Sequence, residues 1–115
     1  MSIKKKNKPL PPSMVTIHVK ALKGFREKTR GLLFAKKAYS ILIETRFGIH
    51  TFGLLFPIDV LVLDAHNKVV KISSNLKPNR IFLWNPRFNK VLELPEDDIK
   101  RYRIQVGDEI KLNYA

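Results

Sequence analysis

From Met14 onward apolar and polar residues take turns: Val15, Ile17, Val19 and Ala21 on one face, Thr16, His18 and Lys20 on the other. A period of two predicts a half-buried β-strand and places the first element of the domain here. The period breaks at "GFREKTRGLLFAKKAYS", which starts at Gly24 and is interrupted by Gly31. Clustered charges and a glycine-permitted bend predict a short helix or helical turn. "ILIET" from Ile41 is again β-branched and short, while "RFGIHTFG" with its two glycines reads as a loop or bulged strand.

The clearest signal is "DVLVLDAHNKVVKIS", beginning at Asp59. Val60 and Val62 alternate with Leu61 and Leu63, and Asp64 and Asn67 supply turn chemistry, so a β-hairpin is expected. Both faces of its outgoing strand are apolar, which predicts a strand running through the middle of the core. Two proline-containing turns flank "RIFLW" (Arg80–Trp84), and "KVLEL" is a further strand. "LPEDDIKRYRI" has Pro95 and acids early and bases late, the arrangement a short helix opening at Pro95 would favour. Val106, Gly107 and Asp108 turn the chain into a last strand, "EIKLNY". The pattern predicts a mainly β fold, a small β-sandwich or barrel of about seven short strands with one or two short helices.

Composition narrows the setting. The 115 residues suffice for one domain, expected over 14–115, after a flexible arm at 1–13 that carries Lys4, Lys5, Lys6 and Lys8 before Pro9, Pro11 and Pro12. There is no cysteine, no apolar run long enough to cross a bilayer and no apolar core of a secretory signal at the N-terminus. These features point to the cytoplasm. The net charge is +12, and residues 1–50 hold twelve Lys/Arg against Glu27 and Glu44, whereas 51–115 hold ten against eight acids. A basic half either attracts a polyanion such as RNA or DNA or only keeps the chain soluble. The residues concerned are Lys4, Lys5, Lys6, Lys8, Lys20, Lys23, Arg26, Lys28, Arg30, Lys36 and Lys37. As a run they also fit a solvated face.

The order of three segments is similar to the domain-of-unknown-function family 192. They are "RGLLF" (Arg30–Phe34), "IHTFGLLFPIDVLVLD" (Ile49–Asp64) and "VLELPEDDIKRYRIQVGD" (Val91–Asp108). The resemblance runs from about Val15 to the C-terminus and implies a small β-rich sandwich or barrel; it implies no activity. Two departures stand out. Leu54 and Leu55 occupy places where relatives usually have methionine and a basic residue, and Glu96, Asp97 and Asp98 replace small residues.

Candidate chemistry is sparse. His50, Thr51 and Asp59 could converge across a return of the chain and line a small pocket, acting in acid–base work or orienting a ligand. Equally, His50 could satisfy backbone groups at a bulge while Asp59 bonds amides after Pro57. Trp84 and Phe82 stand beside Arg80 and Arg87, as base stacking would ask, although aromatics at alternate strand positions also fill cores. No Walker loop, dinucleotide fingerprint, zinc motif or Ser–His–Asp elbow is present, so the sequence names no cofactor, no metal and no catalytic residue. Three readings stand: a non-catalytic binding module with a pocket at His50 and Asp59, a nucleic-acid-binding protein, and an enzyme acting through His50 and Asp59.

Overall fold

A computed structural model describes residues 13–21 and 40–114. The arm expected at 1–13 (Ser13 apart) and the helical turn expected over 24–40 (Ser40 apart) lie outside the described residues. The elements in chain order are β1 (Met14–Ala21), β2 (Ile41–Glu44), β3 (Gly48–His50), β4 (Ile58–Leu63), β5 (Val69–Leu76), β6 (Ile81–Leu83), β7 (Lys90–Pro95), α1 (Asp98–Arg101) and β8 (Glu109–Tyr114).

Six strands form one sheet in the order β5-β4-β7-β2-β1-β8. β1 runs parallel to both β2 and β8, and the other neighbours are antiparallel. The ends of this sheet meet. Lys68 bridges Glu109, the Val69 amide donates to the Asp108 carbonyl at 2.9 Å, and the Ile110 amide donates to the Asn67 carbonyl at 2.8 Å. The sheet is therefore curled into a barrel closed at that end, which removes part of the edge a flat sheet would leave bare.

Alternation decides what goes inside. Ile17, Val19, Leu42, Leu61, Leu63, Val69, Leu92, Leu94 and Ile110 fill the barrel together with Ile99 of α1 and Ile104 after it. The opposite residues of the three central strands, Ile41, Ile43, Ile58, Val60, Val62 and Val91, form a second core with Leu54 and Trp84. All six residues of β4 are buried, as two apolar faces require. Truncating one of its leucines to alanine would cost about 2–5 kcal/mol.

The second core is covered by a two-stranded ribbon, β3 paired antiparallel with β6. His50 faces Ile81, Ile49 faces Phe82 and Gly48 faces Leu83. Ile49 and Phe82 turn inward onto the second core. The approach is close: a Cβ at Gly48 would meet the Phe82 carbonyl and the Leu83 side chain at 2.6 Å, so only glycine fits there.

The expected hairpin is present, with the Asp64 carboxylate accepting from the His66 and Lys68 amides at 2.8 and 2.9 Å and Asn67 in left-handed conformation. The helix is shorter than its sequence suggests. Pro95 ends β7 opposite Ile58 instead of opening α1, because the strand continues until Leu94 is buried in the barrel. Asp97, at φ 73°, then turns the chain into the helix without a side-chain cap of its own.

Candidate functional site

Asp59 projects to the barrel side of β4 and is fully buried. One carboxylate oxygen accepts from the Asn75 amide at 2.9 Å and the other from the Ile99 amide at 2.8 Å. The second bond satisfies a free amide in the first turn of α1, so a distant strand supplies the cap that the helix lacks. Thr51 is equally buried. Its hydroxyl donates to the Lys77 carbonyl at 2.6 Å and accepts from the Arg80 amide at 2.8 Å, while its carbonyl accepts from the Asn79 amide at 3.1 Å. Asp59 and Thr51 thus hold the two ends of the loop from Asn75 to Arg80, whose Asn75 and Asn79 adopt left-handed conformations.

His50 is exposed. Its Nδ1 accepts from the Phe52 amide at 3.2 Å, and its ring stacks on Phe52 with centroids 5.2 Å apart and planes 26° apart. No hydrogen bond joins it to Thr51 or Asp59 among the described residues. The three side chains do not form a shared polar centre. Two of them are frame, and the third lies on the outer face of the ribbon.

Trp84 also belongs to the frame. It is 7% exposed, and its indole N–H donates to the Phe88 carbonyl at 2.9 Å. Phe82 is half-buried beneath the ribbon, tilted against Trp84, with the Lys71 ammonium 4.9 Å from its ring centre. Of the two readings open for this pair, base stacking and core filling, the geometry fits core filling: both rings face the second core because they share the inward side of β6 and the turn after it. Of the basic residues singled out above, Lys4, Lys5, Lys6, Lys8, Lys23, Arg26, Lys28, Arg30, Lys36 and Lys37 lie outside the described residues. Lys20 lies in β1, opposite Ile41 in register.

The unusual surface is one that candidate chemistry did not single out. The outer side of the ribbon carries Ile81, 63% exposed, and Leu83, 61% exposed, with His50 opposite Ile81 and Phe52 beyond it. At the other end stands Phe47, 66% exposed, with φ at 75°. The Gly48 amide donates to the Arg46 carbonyl at 2.9 Å across Phe47, which makes a γ-turn of the rare, strained kind. Leu55 is exposed in the segment that follows the ribbon.

Arg46, Lys71 and Arg80 stand beside these residues. Stretches 45–58 and 65–92 contain seven Lys/Arg and no Asp or Glu. Arg46 donates to the Pro86 carbonyl at 2.7 Å, Lys71 to the Leu83 carbonyl at 2.6 Å, and Arg80 to the Asn79 carbonyl at 3.3 Å. Among the described residues the one ion pair is Arg101 with Asp98, at 3.0 Å, so Arg46, Lys71 and Arg80 have no carboxylate partner there. The acid-free run was visible in the sequence. That "RIFLW" turns Ile81 and Leu83 outward becomes visible only once Phe82 and Trp84 are known to face in.

Two carboxyls stand apart from the ribbon. Glu93 is 6% exposed on the second-core side of β7, flanked by Ile41 and Val60 in register, and its carboxyl has no hydrogen bond or ion pair among the described residues. Burial in this apolar setting pushes its carboxyl up to about 7. Burial also raises Asp98; Arg101 opposes that and the nearby Asp59 charge adds to it. No group of three or more potential metal ligands occurs among the described residues. No helix among them is long and apolar enough to cross a membrane.

Comparison with known proteins gives a family and a fold. The profile of DUF192, described as "Uncharacterized ACR", matches residues 8–112. An uncharacterised UPF0127 protein of Pyrococcus horikoshii is 33% identical over 99 residues, covering 81% of this chain and 85% of that protein. Among solved structures, a protein of unknown function from Novosphingobium aromaticivorans superposes with a TM-score of 0.70 at 17% identity, over 79% of this chain and 71% of that one. A Sinorhizobium meliloti protein described as a proposed transcription regulator gives 0.72 at 19% identity, over 79% and 78%. At these identities the two structures attest the fold alone.

Proposed function

The chain belongs to DUF192, an uncharacterised family that brings no activity with membership, and we propose from its own surface that it is a non-catalytic module that binds a polyanion, nucleic acid foremost. One observation carries this reading: seven cations stand in acid-free stretches of the chain, none of them makes an ion pair among the described residues, and of the seven only the Lys68 charge is felt by a carboxylate, that of Asp64. Cations that make no ion pair can neutralise phosphates and release condensed counterions, the main source of nucleic-acid affinity. The basic residues of 1–50 add to the attraction. Against a pocket enzyme stands the use of Thr51 and Asp59 on backbone groups, which leaves His50 without a catalytic partner.

Fluorescence anisotropy with a labelled oligonucleotide at about 50 mM and about 200 mM salt tests the proposal. Binding at the lower salt should weaken steeply at the higher. The triple variant R46A/R80A/R87A should flatten the log–log salt slope by about 2 if each cation meets one phosphate of a single strand. Absence of binding at low salt, or binding indifferent to salt, overturns it.

A further inference from the structure

We infer that the outer face of the β3–β6 ribbon is a stacking surface for unpaired nucleobases, so that the ligand is single-stranded nucleic acid. This rests on the polyanion reading above and goes beyond it, since cations alone do not distinguish strands from duplexes.

The geometry is that of a short platform. Leu83 and the cross-strand pair Ile81 and His50 share the outer side of the ribbon, Phe52 stacks on His50 at one end and the exposed Phe47 precedes Gly48 at the other, with about 10 Å from Phe47 to His50 at the rise of a strand. His50 and Phe52 are already stacked, and the bond from the Phe52 amide fixes the imidazole, so the pair offers a flat, pre-ordered plate. A base added to it loses little conformational freedom in the protein. Phe47 supplies a second ring. It is held in a left-handed conformation that phenylalanine disfavours, yet most of its surface faces solvent, so packing does not repay the strain. An aromatic kept exposed at such a cost is an outlier from which a functional role is reasonably inferred.

Charge completes the fit and selects the occupant. Arg46, beside Phe47, and Arg80, beside Ile81, mark the two ends of the platform, with Lys71 bonded to the Leu83 carbonyl along its flank. Their heads are tied to backbone carbonyls at set positions, which suits a phosphate backbone running across the ribbon. A lipid surface would ask for no such register. A duplex keeps its base faces hidden and would press phosphates against Leu83 and Ile81. A single strand turns its bases onto the apolar strip and its phosphates toward the cations.

The test uses the full chain, labelled oligo(dT) and oligo(U), a duplex of equal length, inorganic polyphosphate, and vesicles containing phosphatidylserine. Two variants accompany it: F47S/F52S, which removes exposed rings, and the cation triple R46A/R80A/R87A. Urea unfolding checks that both fold. Single strands should bind about tenfold or more tighter than the duplex, and F47S/F52S should erase that margin while leaving duplex and polyphosphate binding within about twofold. The cation variant should weaken every polyanion. If no polyanion binds, the polyanion reading itself fails. If strands, duplex and polyphosphate bind alike and F47S/F52S behaves as the wild type, that reading stands and the stacking surface is overturned. Vesicle binding that F47S/F52S abolishes, with no preference for single strands, overturns it in favour of a membrane face.

Discussion

The carboxylate-bearing frame of the barrel and the acid-free ribbon laid over it treat their side chains in opposite ways. In the frame, Asp59 and Asp108 are fully buried, and every carboxylate oxygen of the two accepts a backbone amide: Asn75 and Ile99 for one, Ser13 and Gln105 for the other. Left-handed conformations there fall mostly to residues that tolerate them, Asn67, Asn75 and Asp97, with Arg103 at φ 54° the exception. On the ribbon, aliphatic and aromatic side chains face water, cations go without carboxylates, and a phenylalanine takes the left-handed position. The contrast teaches that polar residue types are poor guides to a site in a small barrel. Such a barrel has many backbone groups to satisfy where strands end and turns begin, and it recruits Asp and Thr for that work. Spare chemistry shows itself as exposure, unpaired charge and strain.

The largest effect that would break this contrast is at Asp59. Asp59→Ala leaves two amides without an acceptor in a dry interior, at a cost of about 4 kcal/mol. Urea unfolding should register a shift of that size, a large share of the total stability of such a domain. Affinity for an oligonucleotide, measured on the fraction still folded, should stay within about twofold of wild type. A stability loss below about 1 kcal/mol would show that Asp59 is not frame, and the division between the two regions would fall with it.

Glu93 gives the next largest effect, through pH. Its folded carboxyl, pushed up to about 7, lies above the ordinary 4.5 expected of the unfolded chain. Between those values the unfolded chain has released its proton while the native chain still holds it. Stability therefore falls as pH rises through that window, by about 3 kcal/mol in all, and is level above it. Asp98, raised by burial as well, adds a smaller slope of the same sign. Urea midpoints taken from pH 4.5 to 8 should show this decline in the wild type and only the residual slope in E93Q. A wild type as stable at pH 8 as at pH 5 would mean that the Glu93 carboxylate has a partner when ionised.

How much of this could be read beforehand follows from range. The first strand, the hairpin around Asp64 and Asn67, and the buried centre of β4 were legible because alternation and turn chemistry act between near neighbours. So was the use of Asp59 on amides, one of the two readings its place after Pro57 allowed. Closure of the barrel through Lys68 and Glu109 was not legible, since a register across forty residues leaves no local mark. Nor did the nine positions between His50 and Asp59 reveal that their side chains leave on different sides of the molecule. The helix over "LPEDDIKRYRI" was right in kind and wrong in extent: burial of Leu94 outweighed the preference of Pro95 for a first helical turn. The exposed strip needed one fact the sequence withholds, namely which face of "RIFLW" is covered.

The smallest effect is the most discriminating, because it asks whether Phe47 serves the fold or a ligand. A left-handed conformation costs an ordinary residue about 1–2 kcal/mol, and asparagine bears it more easily. Phe47→Asn should therefore raise stability by about 0.5–1 kcal/mol, once the loss of a mostly exposed ring is allowed for. Leu83→Ser, exposed but unstrained, is the control and should change stability by no more than about 0.5 kcal/mol. A protein that becomes more stable on losing an exposed phenylalanine, and at the same step binds single strands less tightly, has kept that ring against the interest of its fold. If Phe47→Asn instead destabilises, the ring is packing after all, and the strain at its γ-turn belongs to the frame.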